Sequence, residues 1–177
     1  MTKYLVQDLR GISEYVSYGI IIGCVVYVLY FALKKSIGKS KRNFSLWGFL
    51  LCIYIAILLS VTFFSRESGG DKSIDLKIGS SWGINIRNNA YVVENVLLFI
   101  PYGYLLPMVW EKVRGWWKCI LLGFSTSLLI ELLQLVSARG VFQTDDMITN
   151  TMGALIGYLL FGLTYAVFRV FKKDNRA

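Results

Sequence analysis

Apolar residues in this chain run in long blocks rather than alternating with polar ones. Tyr15–Leu33, Phe44–Phe64 and Met147–Phe168 contain no charged residue, and Tyr91–Trp110 and Cys119–Ala138 contain one acid each, Glu94 and Glu131. A soluble domain would show one apolar and one polar face along each helix. Crossing the hydrocarbon layer takes a helix of ~20 residues, and every block reaches that length. The pattern predicts an all-α polytopic membrane protein with about five transmembrane helices, approximately 15–33, 44–64, 91–110, 117–138 and 147–168, in one domain spanning 1–177. The first block is longer than the ~7–15 residues of a signal-peptide core and runs into Lys34 and Lys35 without a small-residue cleavage pattern, so it reads as an anchored helix.

Charge placement orients these spans. Twelve of the 19 basic residues fall in three stretches: Lys34, Lys35, Lys39, Lys41 and Arg42 after the first span; Lys112, Arg114 and Lys118 between the third and fourth; Arg169, Lys172, Lys173 and Arg176 after the fifth. Only Glu111 and Asp174 offset them there. The positive-inside rule makes that side cytoplasmic, which puts the N-terminus outside and the C-terminus inside. Trp47, Trp110, Trp116 and Trp117 gather on the same side, where indoles favour the headgroup layer. A net charge of +8 distributed this way serves topology and anionic lipid, not nucleic acid. Outside lies the loop 65–90, with turn glycines and room for a small interfacial element.

The chain has no histidine, which removes the commonest general base and metal ligand. Its three cysteines sit in apolar blocks and read as packing residues. Chemistry, if any, falls to carboxylates, amides, hydroxyls and arginine. Ser127, Glu131 and Gln134 are spaced to share one helix face. An ionised Glu131 one to two turns inside the membrane costs about 3 kcal/mol or more unless paired or hydrated. Asp146, Asn150, Gly153 and Gly157 form a second stripe, whose glycines allow close approach of another helix, the third or the fourth. Pro101 and Pro107 interrupt the backbone bonding of the third span, so a kink is expected at Pro101 with Gly103 just after it. Glu94, Asn95, Glu131, Gln134, Arg139, Asp145, Asp146 and Asn150 all fall near the outer leaflet. Most have a modest alternative: first-turn residues of the third span for Glu94 and Asn95, cap and helix-dipole partners for Asp145 and Asp146, interhelical bonding for Glu131 with Gln134, lipid phosphate for Arg139.

The segments FFSRESGG (63–70), ENVLLFIPYG (94–103), IELLQ (130–134) and RGVFQTDDMITNTMGALIGY (139–158) resemble, in order and spacing, the VanZ family of bacterial membrane proteins. The resemblance covers roughly the C-terminal two-thirds. It carries over Asn95, Pro101, Gly103, Glu131, Gln134, Asp146, Asn150, Gly153 and Gly157 as family positions, while Gln143 stands where the family often has an acid. It implies a multi-pass protein of the bacterial plasma membrane with an envelope role, the family name coming from reduced susceptibility to teicoplanin. Three readings stay open. In the first, the outer polar site binds or shields a lipid-linked cell-wall precursor or alters how a lipoglycopeptide meets the membrane. Arg66 and Arg139 would then meet phosphates, and Glu94, Asn95, Gln134 and Asn150 would meet polar groups. In the second, an enzyme acts on lipid headgroups with Glu131 and Asp146 as catalytic carboxylates, which with amide oxygens could hold Mg²⁺ or Ca²⁺. In the third, the cluster only locks the helices together.

The orientation has a direct check. A reporter active only in the cytoplasm is expected to work when fused after Ala177 and to fail when inserted in the 65–85 segment.

Overall fold

The computed structural model describes residues 2–36, 45–70, 72–83 and 85–174. Phe44 of the expected second span, and Lys39, Lys41, Arg42 and Arg176 of the basic clusters, lie outside the described residues. Five long helices run through the chain: α1 (Thr2–Ser36), α2 (Leu46–Leu59, continued by a π-helical turn Ser60–Phe64), α3 (Ile86–Val109), α4 (Trp116–Val136) and α5 (Thr144–Asp174). Among the described residues, five segments are long and apolar enough to cross a membrane: Ser13–Lys34, Leu46–Phe64, Ile86–Val109, Trp116–Val136 and Thr144–Arg169. Helices suit lipid because each satisfies its own backbone. Leu29, Leu33, Leu159, Leu163 and Phe168 stay exposed on the outside of the bundle, as lipid-facing residues must.

Two of the shifted boundaries bear on the polar residues. α3 begins at Ile86, where Asn85 caps it by accepting from Asn88 N at 2.8 Å. Glu94 and Asn95 therefore lie in its third turn, which removes the first-turn reading of both. α5 begins at Thr144 and takes Asp145 and Asp146 into its first turn. Carboxylates are favoured there by the helix dipole.

Backbone contacts between glycines set how the helices meet. A Cβ added at Gly153 would run into the carbonyl of Val96, one at Gly157 into that of Ile100, and one at Gly103 into that of Ala154. α5 thus lies backbone to backbone on α3, and the third helix is the partner of the Gly153/Gly157 stripe. Gly123 of α4 meets Ala154 from the other side. Gly19 and Gly23 do the same for α1 against Ile57 and Ile53 of α2. The buried core between these contacts comprises Tyr54 and Leu58 of α2, Phe99, Tyr102 and Leu106 of α3, Cys119 and Ile130 of α4, and Ala154 of α5.

α3 stays helical across both prolines. Pro107 cannot donate to the Gly103 carbonyl, and the Cys119 thiol approaches that oxygen at 3.7 Å. Near Pro101, the Tyr54 hydroxyl donates to the Leu98 carbonyl at 2.8 Å. The Gly103 carbonyl freed by Pro107 is thus served from α4. At the basic end of the bundle, Tyr158 of α5 donates to the Arg114 carbonyl at 2.6 Å and holds the α3–α4 connector.

At the opposite end two connectors join. β1 (Ile74–Asp75) pairs in parallel with β2 (Phe142–Gln143), and Gly70 N donates to the Ala138 carbonyl at 2.9 Å. The loop ahead of α3 is therefore stitched to the α4–α5 connector and carries a small strand element. α4 closes with Ala138 at φ 53°, and Arg139 N donates to the Gln134 carbonyl at 2.8 Å. This is the left-handed helix end that glycine usually supplies.

The glycine contacts give the fold its sharpest test. Gly153→Leu or Gly157→Leu is expected to abolish monodisperse folded protein, whereas Gly162→Leu, with nothing within 4 Å, leaves yield and Tm unchanged. Size-exclusion profiles and thermal melts in detergent read this directly.

Candidate functional site

The polar residues meet at the stitched end, between α3, α4 and α5. Ser127, Glu131 and Gln134 occupy one face of α4 and are all buried, at 0%, 2% and 1% exposure. That face looks onto the first turns of α5. Asn150 Nδ2 lies 2.8 Å from Ser127 Oγ across the α4–α5 contact. The Glu131 carboxylate accepts from Gln143 N at 2.9 Å, so the residue before α5 is fixed to the last two turns of α4. Asp146 lies within electrostatic reach of Glu131, with Arg66 acting on both carboxylates and the Asn95 side chain on Asp146.

Gln134 has the most informative surroundings. Its Nε2 donates to the Thr62 carbonyl at 2.7 Å, inside the π-helical turn that ends α2. A backbone carbonyl can only accept, so this bond fixes which end of the amide is which. Its Oε1 is buried and lacks a partner among the described residues. The Arg66 guanidinium packs over Gly140 beside it, since a Cβ there would stand 2.7 Å from Arg66 Nη1 and 3.7 Å from Gln134 Oε1. Asn150 also keeps one end of its amide open, because the pair with Ser127 uses only one.

Other expected residues have different work. Arg139 directs Nη1 to the carbonyls of Phe63 and Arg66 and lies over the Phe63 ring at 5.0 Å, so it pins the end of α2 to the α4–α5 connector. With Arg66, Tyr15 and Glu67 it lines an open depression of about 420 Å³ on the same end. Glu94 is half-buried, one position before Asn95 and so ~100° round the helix from it. Gly103, Gly153 and Gly157 act as structure, through the α3–α5 contact, while Pro101 is exposed within α3.

Asp145 has a role the sequence reading understated. It is 1% exposed, and its carboxylate accepts from Gly79 N at 2.7 Å, Ser81 N at 2.8 Å and Ser80 Oγ at 3.3 Å. It clamps the long connector to the start of α5. In the same loop, hydrogen bonds from the Ser80 side chain and the Lys77 N–H hold the Asp75 carboxyl below the usual carboxylate range. Thr62 and Gly140 were likewise missed. A carbonyl at a π turn and an arginine packed over a glycine leave no mark in residue type. Among the described residues no group of three Cys, Asp or Glu comes together to hold a metal, so a cation here would have two carboxylates and amide oxygens at most.

Residues 49–166 match the VanZ/LLP1 family. The chain belongs to that family. It is also 29% identical, over 122 residues, to Protein VanZ of Enterococcus faecium, an alignment that covers 65% of this chain and 73% of the relative. No solved structure matches. The matched region holds every member of the cluster: Arg66, Asn95, Ser127, Glu131, Gln134, Asp146 and Asn150.

The neighbouring aspartates should separate in experiment. Asp145→Ala is expected to release the 78–81 segment, raising its amide exchange and lowering stability by about 2 kcal/mol, since two N–H groups lose a charged acceptor. Asp146→Asn should leave exchange in that segment unchanged.

Proposed function

We propose that this VanZ-like protein sits in the bacterial plasma membrane with its stitched end facing out. There its polar site binds or shields a lipid-linked cell-wall precursor and so lowers susceptibility to teicoplanin-type lipoglycopeptides. The observation that carries this reading is Gln134. A side chain 1% exposed keeps a carbonyl oxygen without a partner, beside two carboxylates and a guanidinium. Interhelical glue uses both ends of its amides, because a buried acceptor left open costs about 1–3 kcal/mol. A binding site leaves such an atom for its ligand. Family membership supports the envelope setting.

The Glu131–Asp146 pair favours a second reading, an enzyme acting on lipid headgroups in the outer leaflet. One carboxylate would hold a proton for the leaving oxygen and the other would orient water.

The test expresses wild type, Glu131→Gln and Asp146→Asn at matched membrane levels, with teicoplanin susceptibility and lipid turnover by the purified proteins as readouts. Binding predicts that both variants lose protection and that wild type turns over no lipid. Turnover by wild type that both variants lose selects the enzyme. Unchanged protection in both variants at normal levels contradicts both readings.

A further inference from the structure

The site is rich in acceptors and poor in free donors. Glu131 and Asp146 bring two carboxylates, and Gln134 Oε1 adds an open carbonyl oxygen. The nearby donors are occupied: Gln134 Nε2 by the Thr62 carbonyl, Gln143 N by Glu131, and the Asn95 side chain by Asp146. The cation beside them is Arg66, exposed at the rim, with Nη1 on the Gly140 side. A bare anion entering this space would meet two like charges. A neutral hydroxyl would donate one bond and leave the charge uncompensated. A quaternary ammonium carries charge but no N–H for the Gln134 oxygen.

We infer, resting on the site proposed above, that the ligand presents a phosphate-linked primary ammonium, with the ammonium among Glu131, Asp146 and Gln134 and the phosphate at Arg66. An ammonium has three donors for three acceptors and a charge opposite to the carboxylates. A guanidinium forks onto a phosphate with two parallel bonds, and at the rim Arg66 need not be buried to do so. The separation of charges along the ligand then matches their order from rim to interior. A phospholipid amine headgroup and a free phosphoamine share this chemistry.

The experiment melts the purified full-length chain in dodecyl maltoside with added phosphatidylethanolamine, phosphatidylcholine, phosphatidylglycerol, phosphatidic acid, soluble phosphoethanolamine or MgCl₂. Phosphatidylethanolamine is expected to raise Tm by about 5 °C at saturation. The other three lipids should need concentrations about tenfold higher. Soluble phosphoethanolamine giving the same shift would support the chemistry with a free source; its failure beside an active lipid would support the lipid source. Gln134→Met should erase the preference for ethanolamine over choline, and Arg66→Gln should weaken every phosphate-bearing ligand. If Gln134→Met does not fold, the wild-type ranking and the exposed Arg66 decide. Equal shifts from phosphatidylcholine, a stronger shift from phosphatidic acid or phosphatidylglycerol, or a Mg²⁺ shift lost in Glu131→Gln would each overturn the inference. So would Arg66→Gln with undiminished response. A flat lipid ranking alongside lost teicoplanin protection in Glu131→Gln cells would remove this ligand and leave the cell-surface role standing.

Discussion

The close approach of α5 to α3 governs the rest of the structure. In lipid, apolar surface gives helices no reason to prefer one another, so association depends on packing and interhelical bonds. Gly103, Gly153 and Gly157 let two backbones touch where any side chain would collide with a carbonyl. Ala154, caught between Gly103 and Gly123, brings α4 to the same place. Asn150 and Asp146 stand one and two turns beyond Gly153 toward the loop end, so this contact decides their height and what they face. A helix held further off by even one methyl group would part Asn150 from Ser127 and Asp146 from Asn95.

The polar end is built outward from that contact in layers. Glu131 fixes Gln143 through its backbone, and β2 at Gln143 pairs with β1 of the long loop. Asp145 takes three hydrogen bonds from the same loop. Asp145 and Asp146 are adjacent yet point ~100° apart, as neighbours on a helix must. One therefore holds the loop while the other faces the site. The π turn adds a further device: Ser65 N reaches back to the Ser60 carbonyl at 2.9 Å, and the widened turn presents the Thr62 carbonyl to Gln134.

Much of this was legible from residue type and spacing. Block hydrophobicity picked out all five helices, because the length of a span is set by the bilayer rather than by neighbours. The 4, 3, 4 spacing of Asp146, Asn150, Gly153 and Gly157 gave the stripe that α3 covers. What escaped depends on groups the residue alphabet does not show. Gly19 and Gly23 of α1 carry the same four-residue signature and were passed over because no polar residue drew attention to them. Ala138 takes a left-handed conformation normally marked by glycine, so the end of α4 left no signal. Arg139 looked like a phosphate ligand, yet its guanidinium serves the carbonyls of Phe63 and Arg66, which only the folded chain brings near.

In the proposed site, Glu131 is a buried charge kept for its ligand at a cost to stability. Its carboxylate sits at 2% exposure beside Asp146, whereas a glutamine there would still accept from Gln143 N without carrying charge. The deciding measurement is the Tm of purified Glu131→Gln without added lipid, compared with wild type. A ligand-binding Glu131 predicts a Tm equal to or above that of wild type. A Tm lowered by about 5 °C or more would show that Glu131 holds the helices together, and would contradict the site.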